Sequence, residues 1–113
     1  METMTVNYDS NKGVVCYPDI IHVPRFSRED ILLILHDDII DDYDFAKEPK
    51  EAIVFENPGH AKRFSQVRLN DKTLWLHDDN TKQHKKEKAK FTLTITERLT
   101  ETDQSKDPQV VNE

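Results

Sequence analysis

One stretch of the sequence, residues 27–45, restricts the fold more than any other. It reads SREDILLILHDDIIDDYDF and combines a long apolar series with five aspartates within eight residues. Ser27 followed by Asp30 resembles a capping box, and acidic residues in a first turn suit the positive end of a helix dipole. At about 100° per residue one broad side collects Leu32, Leu33, Leu35, Ile39, Ile40 and Tyr43. The pattern predicts an amphipathic helix over residues 27–45.

The same stretch has a second interpretation. Residues 31–35 are five consecutive apolar residues without a clear period, which is also typical of a buried strand. The cap signal and the length of the whole pattern favour the helix.

The aspartates of this stretch are placed where a helix does not need them. On a helix, Asp37/Asp41, Asp38/Asp42 and Asp41/Asp44 are like charges at contact spacing, and each pair costs roughly 0.2–0.5 kcal/mol. They also lie near the carboxyl end, where the helix dipole disfavours anions. Two interpretations remain open: a solvated helix end that runs into an acidic loop, and an anionic docking surface for a basic partner.

The rest of the chain predicts a sheet around this helix. Expected strands cover residues 5–9 and 14–17 on either side of a turn at Gly13, a central strand at 51–56, a pair at 66–69 and 73–77, and a half-buried strand at 91–99. The predicted fold class is α+β, a mostly antiparallel sheet in the order β-β-α-β-β-β-β packed by the one main helix. Residues 1–99 form the domain, and residues 100–113 are expected to be a disordered acidic, polar tail. The edge strand at Pro18 is a candidate homodimer contact.

Composition limits the class of protein. The 113 residues carry a net charge of −6, which argues against nonspecific binding to nucleic acid or anionic membranes. The single cysteine, Cys16, excludes an internal disulfide and suits a reducing compartment. The longest apolar run is far shorter than the ~20 residues that a membrane helix needs. We therefore expect a small cytoplasmic protein.

No motif in the sequence specifies a reaction. His77, Asp78 and Asp79 are weak metal-ligand candidates, but no spacing matches a zinc or EF-hand site, so neither a metal nor a cofactor is expected. Cys16 with His22 or His60 would supply a nucleophile and a base, without the third group that orients such a pair. The protein is predicted to be non-enzymatic.

Three functions follow from these features. The leading one is a binding protein that modulates or inhibits a partner protein with a basic surface, in its sharper form as a mimic of nucleic-acid phosphates. Its contact residues are Asp37, Asp38, Asp41, Asp42 and Asp44, with Trp75 as an apolar anchor. An alternative is a nucleic-acid-associated accessory protein that uses Lys82, Lys85, Lys86, Lys88 and Lys90, supported by Lys62, Arg63 and Arg68. The third is a metal-dependent enzyme at His77, Asp78 and Asp79.

Overall fold

The computed structural model describes residues 1–47, 52–81 and 85–113. It is 62% strand and 5% helical, with no helix of seven or more residues in this part of the chain. In these ranges no helix has the length and apolar character to cross a bilayer. The elements are β1 (Glu2–Asp9), β2 (Gly13–Tyr17), β3 (Ile20–Val23), β4 (Ser27–Leu35), β5 (Tyr43–Phe45), β6 (Ile53–Phe55), α1 (Pro58–Ala61), β7 (Phe64–Asn70), β8 (Thr73–Asn80), β9 (Glu87–Glu97), β10 (Asp103–Lys106) and β11 (Gln109–Asn112).

The first sheet has the order β2-β1-β4-β8-β7. Strands β1 and β4 run parallel, and the other neighbours are antiparallel. Strand β4 therefore lies in the middle, with Leu33 opposite Met4 on one side and Leu74 on the other. Both hairpins of this sheet, β1–β2 and β7–β8, confirm the sequence prediction, and Gly13 takes the positive φ of 79° that its turn requires.

The second sheet is built around the long strand β9. On one side β10 and β11 pair with it in a single unbroken register, from Asp103 opposite Thr96 to Asn112 opposite Glu87. Its other neighbours are β5 and β6, and β3 adds to β11 in parallel. Residues 103–112, which the sequence analysis placed in a disordered tail, thus form two strands, and Val110 is fully buried. Among the described strands, the short β6 pairs only with β9, whereas the sequence predicted a central strand there.

One apolar core joins the two sheets face to face. The first sheet contributes alternate residues of its strands, and the second contributes the inner side of β9 with its neighbours. The largest fully buried side chains are Phe45, Phe91, Met4, Ile31, Leu33, Ile53, Leu74, Leu76, Leu93, Ile95, Val6 and Val23. The molecule is therefore a two-layered β-sandwich.

The predicted helix over residues 27–45 is wrong, and with it the α+β fold class. Residues 27–35 form β4, residues 36–42 form a series of turns, and Tyr43–Phe45 form β5. Ile31, Leu33 and Leu35 face the core, while the residues between them face outward. A run that is apolar on both faces suits a central strand, and backbone pairing to β1 and β8 outweighs the local cap signal.

The residues that suggested a helix cap have other partners. The Ser27 backbone N–H donates to the carbonyl of Pro24 at 3.2 Å, which closes a turn rather than starting a helix. The Asp30 carboxylate lies 2.6 Å from Nδ1 of His77 across the strand pair. A turn bond thus uses Ser27 and a cross-strand contact uses Asp30, so a capping box read from sequence alone was not decisive.

Candidate protein-binding surface

The aspartates lie in the connection between the two sheets. We call residues 36–42 the acidic loop. Its backbone is fixed by a bond from His36 N–H to the Val6 carbonyl (2.8 Å) and by bonds from the N–H groups of Asp42 and Tyr43 to Ile39 (both 3.0 Å). Ile39 is buried in the core and anchors the loop. Because the only buried side chain of the loop points inward, its carboxylates point into solvent at one end of the sandwich.

The five predicted contact aspartates are not equivalent. Asp44, on β5, lies 2.6 Å from Lys72 Nζ and 3.7 Å from Arg98 Nε, so the protein neutralises it. Asp38 lies 3.4 Å from the ring of His36. The others, Asp37, Asp41 and Asp42, are exposed and form no ion pair with any residue in the described ranges.

The connection between β9 and β10 packs beside the acidic loop. Tyr43 pairs with Glu97 across the sheet, and the Arg98 N–H donates to the Asp42 carbonyl at 2.9 Å. Between the two segments is a groove of about 340 Å³, which we call the acidic groove. It is lined by Asp41, Asp42, Glu97, Arg98 and Leu99. Leu99 is 92% exposed, so an apolar side chain lies among carboxylates.

A larger open groove of about 790 Å³ continues from the acidic groove and shares Glu97 and Arg98 with it. Its lining is also more acidic than basic. The carboxylates are Asp44, Asp71, Glu97, Glu101 and Asp103, and the cations are Lys47, Arg68 and Arg98. This end of the sandwich therefore carries a surplus of negative charge.

Trp75 is placed away from this surface. It lies on the outer face of the first sheet, opposite Leu32 on β4 and Val67 on β7, and its ring stacks on His77 with centroids 5.6 Å apart. It lines neither groove. Leu99, rather than Trp75, is the apolar residue beside the aspartates. Sequence reasoning missed Leu99 and Glu97 because only the pairing of β5 with β9 brings them there.

The metal candidates do not converge. Residues of β8 alternate, so His77 and Asp79 face outward while Asp78 is fully buried between the sheets. No cluster of three metal-binding side chains occurs among the residues that the structure describes. The three residues therefore cannot share one ion.

Asp78 has an unusual environment nonetheless. Its Oδ1 accepts a bond from Asn112 Nδ2 at 3.2 Å, but its Oδ2 and Asn112 Oδ1 are both buried acceptors without a donor in the described structure. Burial raises the pKa of Asp78 to about 6. The group lies in the core and lines neither groove, so it bears on stability rather than on a site.

The proposed cysteine nucleophile is also a core residue. Cys16 is buried on the inner face of β2, and His22 faces outward, 2.9 Å from Glu113. His60 belongs to α1, beyond the opposite edge of the first sheet from β2. The structure thus brings neither histidine to Cys16.

We expect the Cys16 thiol to be inert in the folded protein. Burial raises its pKa to about 12, so little thiolate forms at pH 8. Reaction with a chromogenic disulfide at pH 8 should be on the order of a hundredfold slower or more in buffer than in denaturing urea. Equal rates in the two conditions would show that the thiol is accessible.

The predicted basic residues divide into two groups. Arg63 forms a 2.8 Å ion pair with Glu87, and Arg68 donates to the carbonyls of Phe45 and Ala46, so both serve internal contacts. Lys62, Lys85, Lys86, Lys88 and Lys90 are exposed at or near the other end of the sandwich. Lys82 lies outside the described residues.

Comparison of the sequence with profiles of known protein families and with curated protein sequences finds no match. The argument for function therefore depends on this chain's own surface.

Proposed function

We propose that this is a non-enzymatic binding protein that engages a partner through the acidic groove, and that the partner presents basic groups next to an apolar one. The observation that carries the proposal is the convergence of exposed carboxylates of the acidic loop, which form no ion pair within the described residues, with the exposed Leu99 of the β9–β10 connection. Modulation or inhibition of that partner would follow from occupation of its basic surface.

Electrostatics supports a cationic partner. Asp41, Asp42 and Glu97 repel one another across the acidic groove, and Arg98 is the cation of the described chain that lines it. A lysine or arginine from a partner would relieve this repulsion, and complementary charge speeds association and selects against acidic competitors. Burial of Leu99 against an apolar group would add a contribution that salt does not screen.

The location of the perturbed groups supports binding over catalysis. The two groups whose pKa values are most displaced upward, Cys16 and Asp78, are core residues outside both grooves. Catalytic groups with shifted pKa values usually lie in a cleft that a substrate can reach.

The test compares three baits in affinity purification from native host cells. One is the wild type, and the second carries Asp37→Asn, Asp41→Asn and Asp42→Asn. The third is a control of identical net charge, with Glu2→Gln, Asp19→Asn and Glu56→Gln, whose side chains are also exposed. We expect the specific partner to bind the second bait about tenfold more weakly and the control normally, because each exposed ion pair contributes at most about 1 kcal/mol.

Two outcomes would contradict the proposal. Equal loss from both variants would mean that net charge alone attracts the partner, and no loss from either would mean that the acidic groove is not used. In the sharper form, in which the carboxylates imitate nucleic-acid phosphates, duplex DNA should also release the captured partner from the wild-type bait.

A further inference from the structure

The turn between β3 and β4 presents an exposed aromatic ring in a strained backbone position. Phe26 has a φ of +64° and is 58% exposed. The bond from Ser27 N–H to the Pro24 carbonyl makes Phe26 the third residue of a four-residue turn, a position with positive φ that favours glycine or asparagine. Neither backbone preference nor burial explains a phenylalanine here.

A buried side chain holds this turn in place. The fully buried Asn80, at the end of β8, donates from Nδ2 to the carbonyls of Val23 (3.2 Å) and Pro24 (3.0 Å). Strained residues persist only where the surroundings fix them, and they concentrate at functional positions. The ring is thus presented on a rigid support.

One cation lies against this ring, and two others lie at the same end of the sandwich. The Arg25 guanidinium carbon lies 5.7 Å from the centroid of the Phe26 ring. Arg28 follows on β4, with Nε 3.6 Å from Asp79. Lys86 reaches the same end, since its Nζ lies 3.4 Å from Glu113, whose N–H donates to the Val23 carbonyl at 3.0 Å. Ion pairs this long and this exposed are weak, so a ligand anion competes with the carboxylates.

The acidic loop is remote from the turn. The turn precedes Ser27 and the acidic loop follows Leu35, so the nine residues of β4 separate them by about 30 Å. That is several times the screening length of about 8 Å at physiological ionic strength. The carboxylates of the acidic loop therefore do not oppose an anion at this end.

We propose that the Arg25–Phe26 turn binds single-stranded nucleic acid, with a base stacked on the Phe26 ring and phosphates held by Arg28 and Lys86. An aromatic platform flanked by cations is how proteins bind single strands without reading sequence, and a guanidinium beside the ring adds a second planar surface. A protein pocket would accept the ring but has no need of the flanking cations.

The direct test is fluorescence anisotropy with a labelled 12-nucleotide oligo(dT) at 20 mM salt. Phe26→Gly should weaken binding at least about fivefold, because it removes the stacking surface. The same change should raise the unfolding midpoint, because glycine accepts the positive φ, so lost binding cannot be ascribed to lost folding. Leu69→Ala, a change of an exposed side chain on β7 that lines neither groove, is the control and should bind as the wild type does.

Two further arms separate base stacking from charge. Arg28→Gln with Lys86→Gln should reduce the slope of log affinity against log salt by about 1.4. An abasic strand with the same phosphates should bind the wild type about as weakly as oligo(dT) binds Phe26→Gly. No binding of oligo(dT) at 20 mM salt would overturn the proposal. A partner protein with a pocket for the Phe26 ring would then be the alternative. Equal affinity of the wild type and Phe26→Gly, or of the abasic strand and oligo(dT), would also overturn it.

Discussion

Leu33→Ala is expected to lower the free energy of unfolding by about 3 kcal/mol, whereas Leu32→Ala lowers it by about 1 kcal/mol or less. Leu33 is fully buried at the centre of the first sheet, between Met4 and Leu74, so truncation leaves a cavity that its neighbours cannot fill completely. Leu32 points to the outer face, beside Trp75, where solvent replaces the lost methyl groups.

Urea denaturation of the two variants and the wild type, followed by far-ultraviolet circular dichroism, measures this contrast. The pair is matched because both changes remove the same atoms from neighbouring residues. A helix over residues 27–45 would bury Leu32 and Leu33 on one side and give similar losses for both. Similar losses would therefore count against β4.

Asp78→Asn is expected to stabilise the protein by about 2 kcal/mol at pH 8. At that pH the wild type has an ionised carboxylate between the sheets, with Oδ2 unpaired. Asparagine carries no charge, and its amide nitrogen is a hydrogen-bond donor. The side chain at position 78 already contacts Asn112, whose Oδ1 is a buried acceptor without a donor in the described structure. A buried charge is replaced by a neutral group of nearly the same shape.

The pH dependence of this effect has a defined sign. The pKa of Asp78 is about 6 in the folded protein, above its ordinary value of 3.8, so the folded state keeps the proton more readily. Its stabilising contribution is complete below pH 3.8 and is lost as the pH rises through about 6. The advantage of Asp78→Asn should therefore be small at pH 4, grow between pH 4 and 7, and remain constant above that range.

Parallel urea titrations of the wild type and Asp78→Asn at several pH values isolate this group. Groups that do not interact with Asp78 occur in both proteins, so their contributions to the pH dependence cancel in the difference. A difference that does not vary with pH would show that Asp78 has the same pKa in the folded and unfolded states.

The sequence predicted hairpins and edges better than it predicted the central strand. The turn at Gly13 and the pairing of residues 66–69 with 73–77 depend on local signals, and both are present. Residues 31–35 depend on partners far along the chain, Met4 and Leu74 among them, which no local pattern reveals. For this reason the sequence analysis gave the capping signal at Ser27 more weight than the apolar run of residues 31–35. The lack of a clear period in that run already suited a strand.

The candidate surface shows the same limit. The exposed aspartates were singled out from sequence, but their neighbours were not, because Glu97 and Leu99 approach only through the pairing of β5 with β9. Residues 100–113 were expected to be disordered because few of them are apolar. Val110 and Val111 nevertheless pack beside β9, where long-range backbone pairing compensates for a short apolar segment. The sequence did not mark Phe26 as a candidate binding residue, because only its positive φ and its exposure single it out.

The most direct test of the account is a nuclear Overhauser spectrum of the isotope-labelled protein, focused on residues 27–42. The account predicts cross-strand contacts from Leu33 to Met4 and to Leu74, and extended-backbone chemical shifts from Ser27 to Leu35. Helical shifts, with contacts between residues three and four positions apart such as Leu32 and Leu35, would contradict it, and the acidic groove would lose its structural basis.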